Sequence, residues 1–132
     1  MARRRGERGS SAVEFALISL AFFTFVIGVI QYGWYFYVAQ NTSGAVGVVT
    51  RKLQVGDCWA STDALTFAKG QSTQITALTK SPNQATAPAP GTTITITVTA
   101  NAGIIGLIPM PSNGVVTRNV TAVMEDDKAT TC

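Results

Sequence analysis

Histidine is absent from the 132 residues, so neither a Ser-His-Asp nor a Cys-His arrangement can be assembled. There is no Gly-rich phosphate loop and no CxxC. The consecutive acids Glu125, Asp126 and Asp127, with Asp57 and Asp63, lack the alternating ligands and central glycine of a calcium loop. They read as a solvated acidic edge, so no enzyme, no metal site and no cofactor are expected. Charge is scarce as well, at 13% of residues against a hydrophobic fraction of 46%, a balance that is high for a purely water-soluble domain and points to contact with lipid.

The net charge of +3 does not indicate nucleic acid, because four of the ten basic residues (Arg3, Arg4, Arg5 and Arg8) stand in the first eight positions. Beyond residue 9, six basic residues face six acids, and no cluster able to displace phosphate counterions is left. What the chain does have is one long apolar run. FALISLAFFTFVIGVI, 15 to 30, carries no charge, and QYGWYFYVA extends the uncharged stretch to 25 residues at Ala39. At about 1.5 Å per residue this crosses a bilayer core of roughly 30 Å. The arginines preceding it resist translocation, and Tyr32, Trp34, Tyr35 and Tyr37 suit the opposite headgroup zone. The N-terminus is therefore expected in the cytoplasm and the body beyond about residue 40 outside it, in an oxidising compartment in a bacterial setting.

No proline interrupts residues 10 to 81, so a helix is expected from Ser10 to about Leu53, weakest near Gly44 and Gly47. Such a helix measures roughly 66 Å, twice what a membrane needs, and its outer half must pack on something else. Residues 57 to 69 can form a short amphipathic helix with Trp59, Leu65 and Phe67 inward and Gly70 as the C-cap. STQITALTK (72 to 80), TTITITVTA (92 to 100) and GVVTRNVTAVM (114 to 124) read as strands; in the second, Ile94, Ile96, Val98 and Ala100 share the buried face. IIGLIPMPSNG (104 to 114) reads as an apolar loop, beginning as a helical turn. The expected fold is α+β: a long hydrophobic helix, a short second helix, and a small three-stranded antiparallel sheet laid on the outer half of the long helix. The expected organisation is a leader at 1 to 9, a transmembrane and assembly helix at 10 to 53, and a small extracytoplasmic domain at 54 to 132.

Glu14 stands at the entrance of the apolar run, where an intramembrane carboxylate costs a few kcal/mol. If the chain is cut after Gly9, Glu14 becomes the fifth residue and Ser10 gains an α-amine with a pKa near 8. In staggered neighbouring helices that ammonium can meet the next subunit's carboxylate and set the register of a filament.

These residues carry a family resemblance. RGERGSSAVEFALISLAFF resembles the class III prepilin leader and hydrophobic helix of TadE-like pilins, pseudopilin components of tight-adherence (type IVc) pilus machines. In that family a basic leader ends in glycine, prepilin peptidase cuts after it, and Glu and Phe follow at the fifth and sixth mature positions; here these are Gly9, Glu14 and Phe15, with Ser10 as the mature start. The resemblance implies a structural subunit, made as a bacterial inner-membrane precursor and later part of an extracellular or periplasmic filament. The partners it implies are prepilin peptidase, other copies of itself or other pilins, and an inner-membrane assembly platform. The roughly 80 residues beyond the helix depart from the short, nearly all-helical major pilins of these systems and favour a TadE-like subunit.

Two other readings of the N-terminus stay open: an ordinary secretory signal peptide, and an uncleaved single-pass signal anchor holding an envelope binding module. Cys58 and Cys132 allow one intramolecular disulfide, which would tie the C-terminus to the helical segment; free or intermolecular thiols are the alternatives.

Overall fold

The computed structural model describes residues 7–103, 106 and 108–127. Most of the basic leader, the start of the apolar loop and the C-terminus with Cys132 lie outside the described residues. In order come α1 (Glu7–Gln54), α2 (Ser61–Gln71), β1 (Ile75–Ser81), β2 (Thr93–Asn101), a 3-10 turn (Pro111–Gly114) and β3 (Val115–Val123). The strands form one antiparallel sheet in the order β1-β2-β3, and it packs against α1, giving the expected α+β arrangement.

The 48 residues of α1 form one unbroken helix about 72 Å long. Gly44 and Gly47 do not interrupt it. The hydroxyls of the fully buried Thr42 and Thr50 donate to the carbonyls of Val38 and Val46, one turn back. These side chains therefore bring no unmet polar group into the core. From Gln31 onward the helix acquires an inward stripe: Val38, Thr42, Ala45, Val46, Val49 and Leu53 are buried at spacings of three and four, the period of one helical face.

On β2, Ile94, Ile96, Val98 and Ala100 are completely buried, as the alternation requires. Opposite them on β3 stand Ala122, Val120, Arg118 and Val116. Arg118 is thus on the helix-facing side at the sheet edge, where its Nε donates to Ser43 Oγ at 3.1 Å. Gln54 closes the far end of α1: its Nε2 donates to Val123 O at 3.2 Å, and its own carbonyl accepts from the N–H groups of Glu125 and Asp126.

The second helix differs from expectation in three respects. It begins at Ser61, which leaves Trp59 in the preceding turn, and its buried face centres on Ala64 and Ala68, with Leu65 and Phe67 only partly covered. Small side chains let α2 approach the core closely, and the larger ones lean over the margin. Gly70 is not the cap: the helix runs on to Gln71, and Ser72 ends it in an extended conformation, its N–H donating to Ala68 O. The chain turns directly into β1 from there, without a left-handed residue. In the apolar loop, residues 104, 105 and 107, where the helical turn is expected, lie outside the described residues; a 3-10 turn occupies Pro111–Gly114, where Ser112 and Asn113 both adopt positive φ.

Candidate assembly helix and its junction with the domain

No residue from 9 to 30 is buried. Phe15, Leu17, Ile18, Leu20, Phe22, Phe23 and Phe25 are each at least 60% exposed, on every side of the helix. So much continuous apolar surface does not persist in water and needs either lipid or other helices around it. The stretch carries two hydroxyls in its middle, Ser19 and Thr24, and that of Thr24 donates to Leu20 O at 2.8 Å, so it asks nothing of its surroundings. The helix is long and apolar enough to cross a membrane.

Gly9, Ser10, Glu14 and Phe15 all lie on this first part of α1 and are all exposed. Gly9 and Ser10 are inside the helix, which starts at Glu7. Ser10 and Glu14, four residues apart, stand on one face. Among the described residues Glu14 has no hydrogen-bond or ion-pair partner, and its only neighbours along the helix are apolar or small. Cys58 belongs to a separate place: it is 2% exposed, in the turn between α1 and α2, with φ 58°. No described cysteine is free, and Cys132 lies outside the described residues. Among the described residues no group of His, Cys, Asp and Glu side chains could hold a metal ion.

Where the bare helix ends, three side chains of α1 hold the segment leading from β2 to β3. Trp34 Nε1 donates to Ala102 O at 2.6 Å, Tyr32 Oη to Pro109 O at 3.1 Å, and Gln31 Nε2 to Ile108 O at a longer 3.4 Å. Ile108 reaches deeper along the helix: a Cβ placed on Gly28 would lie 3.2 Å from its Cδ1. Ile108 lines an apolar groove there with Thr24, Phe25, Gly28, Val29 and Tyr32. Trp34 also stacks on Tyr37, ring centroids 5.3 Å apart. Sequence reasoning assigned Tyr32 and Trp34 to a headgroup belt and passed over Gln31. The available signal was that amide, directly following sixteen residues without a charge.

The family model described as TadE-like protein matches residues 9–51. The match starts at Gly9 and spans almost all of α1, bearing out the resemblance carried by the helix; the leader before Gly9 and the sheet lie outside it. No curated protein and no solved structure matches the chain. A TadE-like helix of this length and exposure fits a subunit related to the tight-adherence pilus, and its apolar N-terminal part fits membrane anchoring.

Proposed function

We propose that this chain, TadE-like over residues 9–51, is a structural pilin-like subunit of a type IVc pilus or pseudopilus and not a catalyst. It enters the inner membrane with its arginines in the cytoplasm, loses residues 1 to 9 to prepilin peptidase, and is drawn by the assembly platform into a filament. The observation that carries this reading is the conjunction of the family match with a helix whose first 22 matched residues, 9 to 30, include no buried side chain. Helix-to-lipid and helix-to-helix surroundings are both apolar, so assembly gains from close packing and polar pairing instead of water exclusion. Glu14, partnerless among the described residues, is the polar group available for this, and the Ser10 α-ammonium of a neighbouring subunit is its proposed partner.

The test is the mass of the protein from cells with and without prepilin peptidase. A mature chain beginning at Ser10 only where the peptidase is present supports the reading. Retention of residues 1 to 9 in both would establish the uncleaved anchor, and loss of the whole apolar run would establish an exported domain.

A further inference from the structure

We propose that the segment around Ile108 and Pro109 is immersed in the outer leaflet of the bilayer beside α1, so that the unassembled chain has a second lipid contact besides its helix. The inference rests on the membrane-spanning part of the proposed function. It begins with depth. If the bilayer core starts at Phe15, just after Glu14, about 30 Å of helix ends near Trp34, at the start of the stacked Trp34 and Tyr37 rings. Gly28 is six residues before Trp34, hence about 9 Å inside that boundary. Ile108 packs on Gly28 and shares a groove with Thr24 and Phe25, deeper still. A side chain touching the helix at this level stands among acyl chains.

Irregular backbone is tolerated at such depth only when its polar groups are satisfied without water. Three carbonyls of the described part of the segment meet this condition. The carbonyls of Ala102, Ile108 and Pro109 each accept from an α1 side chain, Trp34, Gln31 and Tyr32 respectively. Pro109 and Pro111 have no N–H to leave unmet. The composition agrees, since IIGLIPMP, 104 to 111, contains no charged or hydroxyl side chain. A loop exposed to water would have no need of three donors from one helix or of an uninterrupted apolar sequence. Lipid acyl chains are the occupant this combination suits, covering the outer side of Ile108 as the helix covers its inner side.

Depth-dependent quenching tests this in the full chain, reconstituted in phosphatidylcholine–phosphatidylglycerol vesicles containing acyl-brominated lipid. A small fluorescent amino acid is placed singly at Ile108, at the exposed Pro109, at Ile30 as the helix reference, and at Asn83 as the reference in the opposite loop of the domain. The expected result is that bromolipid quenches the label at Ile108 or Pro109 as it quenches Ile30, while aqueous iodide quenches only Asn83. If Ile30 is quenched by bromolipid and both loop positions behave like Asn83, the immersion is overturned and the span stands. If Ile30 also behaves like Asn83, the span and the immersion fall together.

Discussion

The ammonium of Lys80 lies 4.5 Å from the centroid of the Trp59 ring and donates a hydrogen bond to the carbonyl of the same residue. Lys80 is on β1 opposite Ile96, on the core side of the sheet, and is only 6% exposed. Trp59 is fixed in turn by its Nε1 donating to Gln84 O at 3.1 Å. One cation therefore joins the first strand to the turn that follows the long helix, and the ring face supplies part of the attraction its burial removes.

Burial lowers the Lys80 pKa below the ordinary 10.5. Between the folded and unfolded pKa values the unfolded chain binds more protons, so stability rises with pH through that window, and below it the cost of burying the ammonium is fully present. Lys80→Met retains the stem and removes the charge. Urea midpoints of the full chain in detergent should rise less from pH 7 to pH 10 in the variant than in the parent. Equal slopes would show that the lysine's charge does not weigh on folding.

Leu17 and Leu53 are the same residue type on one helix with opposite surroundings: 63% exposed and 0% exposed. Leu53→Ala should destabilise the domain by about 2–5 kcal/mol, because it removes packed methyls and leaves a cavity. Leu17→Ala should leave the unfolding midpoint in detergent unchanged while lowering the yield of assembled fibres. Equal thermal shifts in the two variants would contradict the division of α1 into a bare half and a packed half.

Gly44 is exposed in mid-helix, and a Cβ there would meet nothing within 4 Å. Gly44→Ala should therefore stabilise the single chain by about 1 kcal/mol, read as a higher melting temperature in detergent. A lower one would mean that this backbone needs the freedom of glycine even in the monomer.

Much of this fold was legible because its signals are periodic. The spacing of Val38, Thr42, Val49 and Leu53 and the strict alternation at Ile94, Ile96, Val98 and Ala100 each fix a face without reference to anything distant. The helix survived its glycines because the sheet packs along that segment, which outweighs a propensity cost of about 1 kcal/mol each. What local pattern could not supply were pairings set by topology. Lys80 faces inward because register places it opposite Ile96, and Arg118 meets Ser43 because β3 is the edge strand beside α1. The Trp34–Ala102 contact joins positions 68 residues apart. The Gly70 cap failed for a related reason: Ser72 could leave the helix in an extended conformation because β1 begins three residues later. At the N-terminus the residues themselves were plain, but their roles depend on other molecules.

Cys58 is buried and not free, in a chain whose only other cysteine is Cys132. A bridge between them would close a long loop and constrain the unfolded chain by about 4 kcal/mol on the entropic account. Protein made in an oxidising compartment should resist alkylation until reduced, and reduction should lower its melting temperature. Ready alkylation of Cys58 in the unfolded, unreduced protein would exclude the bridge, and a dimer that dissociates on reduction would assign the cysteines to a link between chains.

Glu14 is exposed on a helix whose next sixteen residues are uncharged, and among the described residues it has no partner. A carboxylate held at a lipid boundary is costly, by a few kcal/mol at the centre of a bilayer and less at its edge. Pairing with an ammonium in an assembled array would recover that cost. The pairing needs both the acid and the new terminus, so the two can be separated. Glu14→Ala should leave trimming after Gly9 intact and reduce fibre yield, with trimmed subunit accumulating in the membrane. Glu14→Gln keeps the shape and loses the charge, and should fail in the same way if attraction to the ammonium is the reason. Because Ser10 and Glu14 also share a face within one chain, a cross-linker joining amine to carboxylate must then be read by size: a ladder of multimers places the contact between subunits, whereas linked monomer alone places it within one. Normal fibres from both variants would remove Glu14 from assembly and leave the packing of Phe15 and its apolar neighbours to account for it.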